Sequence, residues 1–127
     1  MSGGASARPA DPNGTCRLRH PAAYADSLKA LPPTIRAKLK ATVGAIADRG
    51  EFFNATDAVR RPAPFNRFIR GGQSGRRWFV WYEHGGFAYW REIVLFQRVD
   101  SLAPAMRVRS TSPDLCAQTD RLLDEKP

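Results

Sequence analysis

A chain of 127 residues with 43% apolar and 25% charged residues is long enough for one hydrophobic core and has the composition of an ordinary globular domain. Its 20 Lys and Arg against 12 Asp and Glu leave a formal charge of +8, which attracts polyanions: nucleic acid, an anionic surface or an acidic protein. A run of about 18 apolar residues, enough to cross a bilayer, is missing from the sequence, and residues 1–14 carry no apolar signal segment, so a cytoplasmic protein without membrane contact is expected.

Residues 1–14 are small, polar and rich in Pro and Gly, the composition of a disordered tail. "TCRLR" (15–19) alternates and predicts a short strand. In "PAAYADSLKAL" (21–31), Tyr24, Leu28 and Leu31 recur at helical spacing, and Pro32-Pro33 stops the segment. Ile35, Leu39, Val43 and Ile46 then form one apolar stripe of a second helix, from about Thr34 to Arg49, with Gly50 as its stop. The two segments predict a helical hairpin. Residues 51–65 have no period and read as a crossing loop pinned by Phe52 and Phe53. "FNRFIRGG" (65–72) reads as a strand and "GGQSG" (71–75) as a flexible turn.

The stretch "RRWFVWYEHGGFAYWREIVLFQR" (76–98) holds all three tryptophans, two of the three tyrosines and four arginines. A two-residue turn at Gly85-Gly86 pairs His84 with Phe87, Tyr82 with Tyr89 and Trp81 with Trp90. Both faces of that hairpin are largely apolar, so it is expected at the centre of a sheet covered on both sides. "VDSLAPAMRVRS" (99–110) reads as loop with a candidate edge strand. Ser112 as N-cap, Pro113 and Asp114 predict a short helix that follows. The sum is an α+β domain over 15–98: a mainly antiparallel sheet of about four strands with an N-terminal helical hairpin on one face. Residues 99–127 form a C-terminal extension with a short helix.

Chemistry concentrates on arginine. Residues 60–109 contain ten arginines and no lysine, against Glu83, Glu92 and Asp100. Arginine binds phosphate in bidentate fashion and stacks on aromatic rings, which suits RNA; interleaved Trp, Tyr and Phe can stack on unpaired bases. The competing explanation is arginine stems lying over a sheet whose aromatics are core. His84, at the hairpin tip, is a candidate proton donor or acceptor. Cys16 and Cys116 form no CxxC and read as two reduced thiols. Together with His20 and His84 they lack the spacing of a zinc site, so neither metal nor cofactor is expected.

The order of elements, and the words "CRLRHPAAYADSLKALPPTIRAKLKATVGAI" (16–46) and "FNRFIRGGQSGRRWFVWYEHGGFAYWREIVLFQ" (65–97), resemble the RelE/ParE toxin superfamily. The likeness lies in a short strand, a Leu-Pro corner at Leu31-Pro32-Pro33, a basic amphipathic helix and a three-stranded meander. It implies a toxin-like protein that binds the ribosome and cuts RNA without a metal, or that binds DNA gyrase, and that is held by an acidic antitoxin. In the ribonuclease members the 2′-hydroxyl attacks the adjacent phosphate while strand-borne cations neutralise the charge that develops. Carried onto this chain, Arg67, Arg77 and His84 are the catalytic candidates. Arg70, Arg76, Arg91, Arg98, Trp81 and Trp90 are the nucleic-acid-binding candidates. Trp78-Phe79 stand where the family often has Tyr-Arg. Two further readings use the same residues: a non-enzymatic protein- or nucleic-acid-binding module, such as a phage or mobile-element inhibitor acting through the Arg/aromatic hairpin, and an oligomer whose interface is the aromatic face.

Overall fold

A computed structural model describes residues 15–55, 62–98 and 104–126. The expected disordered tail at 1–14 lies outside them. Five strands form one antiparallel meander in chain order: β1 (Ala23–Ala25), β2 (Asn66–Ser74), β3 (Arg77–His84), β4 (Trp90–Phe96) and β5 (Met106–Arg109). Helix α1 (Pro33–Val43) covers one face and α2 (Leu115–Asp124) the other.

Alternation along the central strands builds two cores. Val80, Tyr82, Val94 and Phe96 meet Leu31, Ile35 and Leu39 on the α1 side. Phe79, Trp81, Ile93 and Leu95 meet Leu115, Cys116, Leu123 and Leu18 on the α2 side. β3 is therefore covered on both faces, as its unbroken apolar run requires. A register shift between Phe68 and Arg70 puts Ile69 in the α2-side core and Arg70 opposite Trp81, a β-bulge that turns two successive side chains the same way.

The expected helical hairpin is not formed. Its first arm is strand β1 followed by a 3-10 turn at Leu28–Ala30. Tyr24 packs on the α2-side core and Ala25 on the α1-side core, a period of two rather than 3.6. Strand β1 lies against Gly71 and Gly72, which belong to β2 and not to a turn. A Cβ at Gly72 would come within 2.8 Å of the Ala23 carbonyl and 2.6 Å of the Phe79 ring, so only glycine admits the edge strand there. Helix α1 ends at Gly44, at φ 85°, with the Gly44 N–H donating to Lys40 O. Gly50 lies beyond the helix because Ala47 must form a parallel bridge to β2: its N–H donates to Asn66 O (2.8 Å) and its carbonyl accepts from Phe68 N–H (2.9 Å).

The two-residue turn is also corrected. His84 pairs with Trp90, Tyr82 with Glu92 and Trp81 with Ile93, so residues 85–89 connect β3 and β4. This differs from the expected register by three residues. An odd shift moves every β4 side chain to the opposite face. Residues 15–19 form no strand; Leu18 is buried and the segment is tied to α2. Phe53 is buried as expected, whereas Phe52 is 40% exposed. Strand β5 and helix α2, both in the region read as an extension, join the sheet and the core.

Cys16 and Cys116 are disulfide-bonded across 100 residues, not reduced. Around the bridge, the Arg19 and His20 N–H groups donate to the two Asp120 carboxylate oxygens (2.8 and 3.0 Å). Among the described residues no helix is long and apolar enough to cross a membrane.

Gly85 donates its N–H to Phe65 O (2.7 Å), and a Cβ there would overlap the Asn54–Ala55 backbone. Gly85→Ala should therefore lower the unfolding free energy by about 1–3 kcal/mol in urea denaturation. Closing a loop of 100 residues restricts the unfolded chain; reduction, or Cys116→Ser, should lower stability by about 2–5 kcal/mol when denaturation is compared with and without reductant.

Candidate nucleic-acid interface

The sheet arginines divide into those consumed by the fold and those left to act. Arg67 donates from Nε to Glu83 Oε2 (2.7 Å) and from Nη1 to Glu51 O (3.1 Å), and its guanidinium lies 4.2 Å over Phe53. Arg70 pairs with Asp26 (2.9 Å), donates to Cys16 O and stacks 4.0 Å over Tyr24. Arg77 donates to Leu123 O and Glu125 O (2.7 and 2.8 Å), closing the C-terminal end of α2. Arg91 donates to Ser112 O. Trp81 is fully buried and donates from Nε1 to Thr119 Oγ1 (2.8 Å), so it is core and faces no base.

The three catalytic candidates do not meet. Arg77 and His84 stand at opposite ends of β3, roughly 23 Å apart at about 3.3 Å per residue. Arg67 pairs with Glu83 and shares the α2 side with it, while His84 shares the α1 side with Tyr82 and Glu92. Arg76 and Arg98 are exposed at the Arg77 end.

At the other end of the sheet a different group assembles on the α1 side. Asn66 donates from Nδ2 to Val43 O and Ala45 O (3.1 and 3.3 Å), just past the end of α1. That fixes the amide, so its Oδ1 accepts from His84 Nδ1 (2.6 Å). Neutral His84 then carries its proton on Nδ1 and a lone pair on Nε2. Burial pushes the imidazole below its ordinary pKa; Glu92 opposes the shift and Arg109 adds to it. The ring stacks on Trp90 with centroids 4.1 Å apart. β3 and β5 flank β4 on opposite sides, so the indole stands between His84 and Arg109, whose guanidinium lies 3.9 Å over it.

Next to this stack, Tyr82 donates to Glu92 Oε1 (2.8 Å), and Arg107 donates from Nε to the same oxygen (2.7 Å) and from Nη2 to Tyr82 Oη (3.0 Å). Burial and the Glu92 hydrogen bond push the Tyr82 phenol up to about 12. The Glu92 bond raises Arg107 above its ordinary value. Two guanidiniums face one carboxylate, so the surface is net positive. Among the described residues the Arg109 side chain has neither a hydrogen bond nor an ion pair; stacking alone holds the guanidinium, with its N–H edge unassigned. Phe87, 95% exposed, and Tyr89, 56% exposed, lie in the β3–β4 connection, with the Tyr89 hydroxyl donating to Glu83 Oε1 (2.8 Å). The arrangement suits an oxyanion on Arg109, planar rings on Phe87 and Tyr89, and a proton acceptor at His84 Nε2.

Of the residues expected from the sequence, this site keeps His84 and Trp90. It adds Asn66, Tyr82, Glu92, Arg107 and Arg109. The alternation in "MRVR" was a readable signal for the last two, since it places both arginines on one face of an edge strand.

The perturbed groups predict two opposite pH effects. Tyr82 has a raised folded pKa, so its contribution to stability is complete below its ordinary value of 10.0 and is lost as pH rises toward about 12. Tyrosinate absorbance in the near ultraviolet should show one late-titrating phenol that Tyr82→Phe removes. His84 has a lowered folded pKa, so its contribution is present above 6.5 and is lost as pH falls through the folded value. NMR should show His84 titrating below 6.5, and Arg109→Gln should move it upward.

No family model, no curated protein and no solved structure matches the chain, so its function rests on the geometry above.

Proposed function

We propose that the chain is a small basic protein that binds single-stranded RNA through the β3–β4 end of its sheet. The observation that carries this is the His84–Trp90–Arg109 stack, in which the indole pins a guanidinium while leaving its N–H edge unassigned, at the end of the sheet whose β3–β4 connection exposes Phe87 and Tyr89. A guanidinium fixed in this way binds phosphate with little further loss of side-chain freedom. Exposed rings stack on unpaired bases whatever their identity. The charge of +8 supplies long-range attraction to a polyanion. This reading keeps RNA or a ribosome as partner and shifts the working residues from the expected arginines to Arg109, Trp90, Phe87 and Tyr89.

RNA cleavage of the toxin type is the second reading, and one observation favours it: the His84 tautomer carries an unprotonated Nε2 at the same end of the sheet as Arg109, across the Trp90 indole. There His84 would take the 2′-hydroxyl proton as that oxygen attacks the adjacent phosphorus; the P–O5′ bond would break, leaving a 2′,3′-cyclic phosphate, the 5′-oxygen would take a proton from water, and Arg109 would face the developing charge. An acidic antitoxin and a cytoplasmic location belong to this reading. The disulfide weighs toward an oxidising compartment, because such bonds are rare in a reducing cytosol.

The test is fluorescence anisotropy with a labelled single-stranded RNA at several salt concentrations. The native chain should bind, and its affinity should fall with salt. Arg109→Ala should weaken binding roughly tenfold and flatten the logarithmic salt slope by about 0.7. Phe87→Ala should cost about 1–3 kcal/mol with the slope unchanged. A folded chain with no affinity for RNA at low salt would defeat the proposal and leave an acidic protein as the partner to seek. Product analysis of the same mixtures, with His84→Ala as control, decides whether bound RNA is also cut.

A further inference from the structure

A cavity lies at the opposite end of the sheet, where the β2–β3 turn meets the end of β4. It is lined by Ser74, Gly75, Arg76, Arg77, Gln97 and Arg98 and has a volume of about 420 Å³. The size falls within the range of small-molecule sites, roughly 300–1,000 Å³, and far exceeds what a lone phosphate needs. Three of its six lining residues are arginines and none is acidic. Arg77 is anchored from behind, since two of its nitrogens donate to the Leu123 and Glu125 carbonyls. Those bonds fix its plane and leave other N–H groups of the same guanidinium for a ligand. Arg76 is exposed and has no hydrogen bond or ion pair among the described residues.

Gln97 supplies an independent observation. Its Oε1 is buried and has no hydrogen-bond partner among the described residues. A buried acceptor without a donor is uncommon. Turning that amide into the cavity sacrifices no existing bond of the oxygen and gains one if a ligand brings an N–H or O–H. A cluster of guanidiniums asks for an oxyanion. The adjacent acceptor asks for a donor on the same ligand.

We propose that this cavity binds a nucleoside phosphomonoester: Arg76, Arg77 and Arg98 hold the phosphate, and the Gln97 carbonyl accepts from the sugar or base. The site is separate from the aromatic end of the sheet and does not depend on it. The same chemistry is offered by a free mononucleotide and by the 5′-phosphorylated end of an RNA.

Isothermal titration with AMP, with inorganic phosphate, and with short RNAs bearing either a 5′-phosphate or a 5′-hydroxyl tests the proposal. AMP should bind at one site per chain and at least tenfold tighter than inorganic phosphate. Arg76→Ala and Arg98→Ala, both exposed positions, should each weaken AMP at least fivefold with unchanged thermal melts. Gln97→Leu should weaken AMP and leave inorganic phosphate unaffected, a split that loss of charge or of fold would not give. Arg109→Ala should leave AMP binding intact. A tighter fit for 5′-phosphate than 5′-hydroxyl RNA, beyond that of AMP, would identify an RNA end as the natural ligand; AMP binding without that preference would identify a free nucleotide. Three results would overturn the proposal: no saturable AMP binding, equal affinity for AMP and inorganic phosphate, or loss of AMP binding in Arg109→Ala.

Discussion

The pairing of β3 with β4 decides the rest of the molecule. Placing Tyr82 opposite Glu92 sends Val94 and Phe96 to the α1 side and Ile93 and Leu95 to the α2 side. Each helix then finds a complete apolar floor. The same register brings Trp90 beside His84, and the next pairing sets Arg109 across from Glu92, so the polar stack and the two cores follow from one alignment of backbone hydrogen bonds. A slip of one residue would exchange the faces and bury charge against both helices.

Within that frame, arginine does two kinds of work. Arg67, Arg70, Arg77 and Arg91 each satisfy carbonyls or carboxylates of distant segments and act as cross-links between elements. Pairing Arg67 with buried Glu83 also lets a carboxylate remain in a largely apolar strand, where it would be costly alone. Arginine density on a strand is therefore a poor guide to function. Arg109 and Arg76 differ from the others in what surrounds them: among the described residues no counter-charge lies within hydrogen-bonding reach of either.

Much of the fold was legible because periodicity reports burial. The stripe of Ile35 and Leu39, the double-sided hairpin of 78–96 and the capping signal before α2 all appear in the structure, with Asp114 rather than Ser112 as the N-cap. What the sequence concealed depended on glycine and on distance. Tyr24, Leu28 and Leu31 fit a helix by spacing, yet Gly71 and Gly72, nearly fifty residues on, provide the slot that makes 23–25 a strand. Gly85-Gly86 looks like a tight turn, yet Gly85 is needed where the chain presses on the Asn54–Ala55 backbone. The candidate site was hidden for the same reason. Tyr82, Glu92 and Arg107 become one network only in the correct register, and no local pattern distinguishes that register from its neighbours.

The bridge between Cys16 and Cys116 has a mechanical consequence. All five strands lie between the two half-cystines, so the sheet belongs to a covalent ring from which both chain ends emerge at one place. Tension applied to the two ends passes through the sulfur–sulfur bond and leaves the strands unloaded. A single backbone cut inside the ring opens it without separating the pieces. While oxidised, the five strands lie in one closed loop, and reduction turns that loop into a chain that can be pulled apart from its ends.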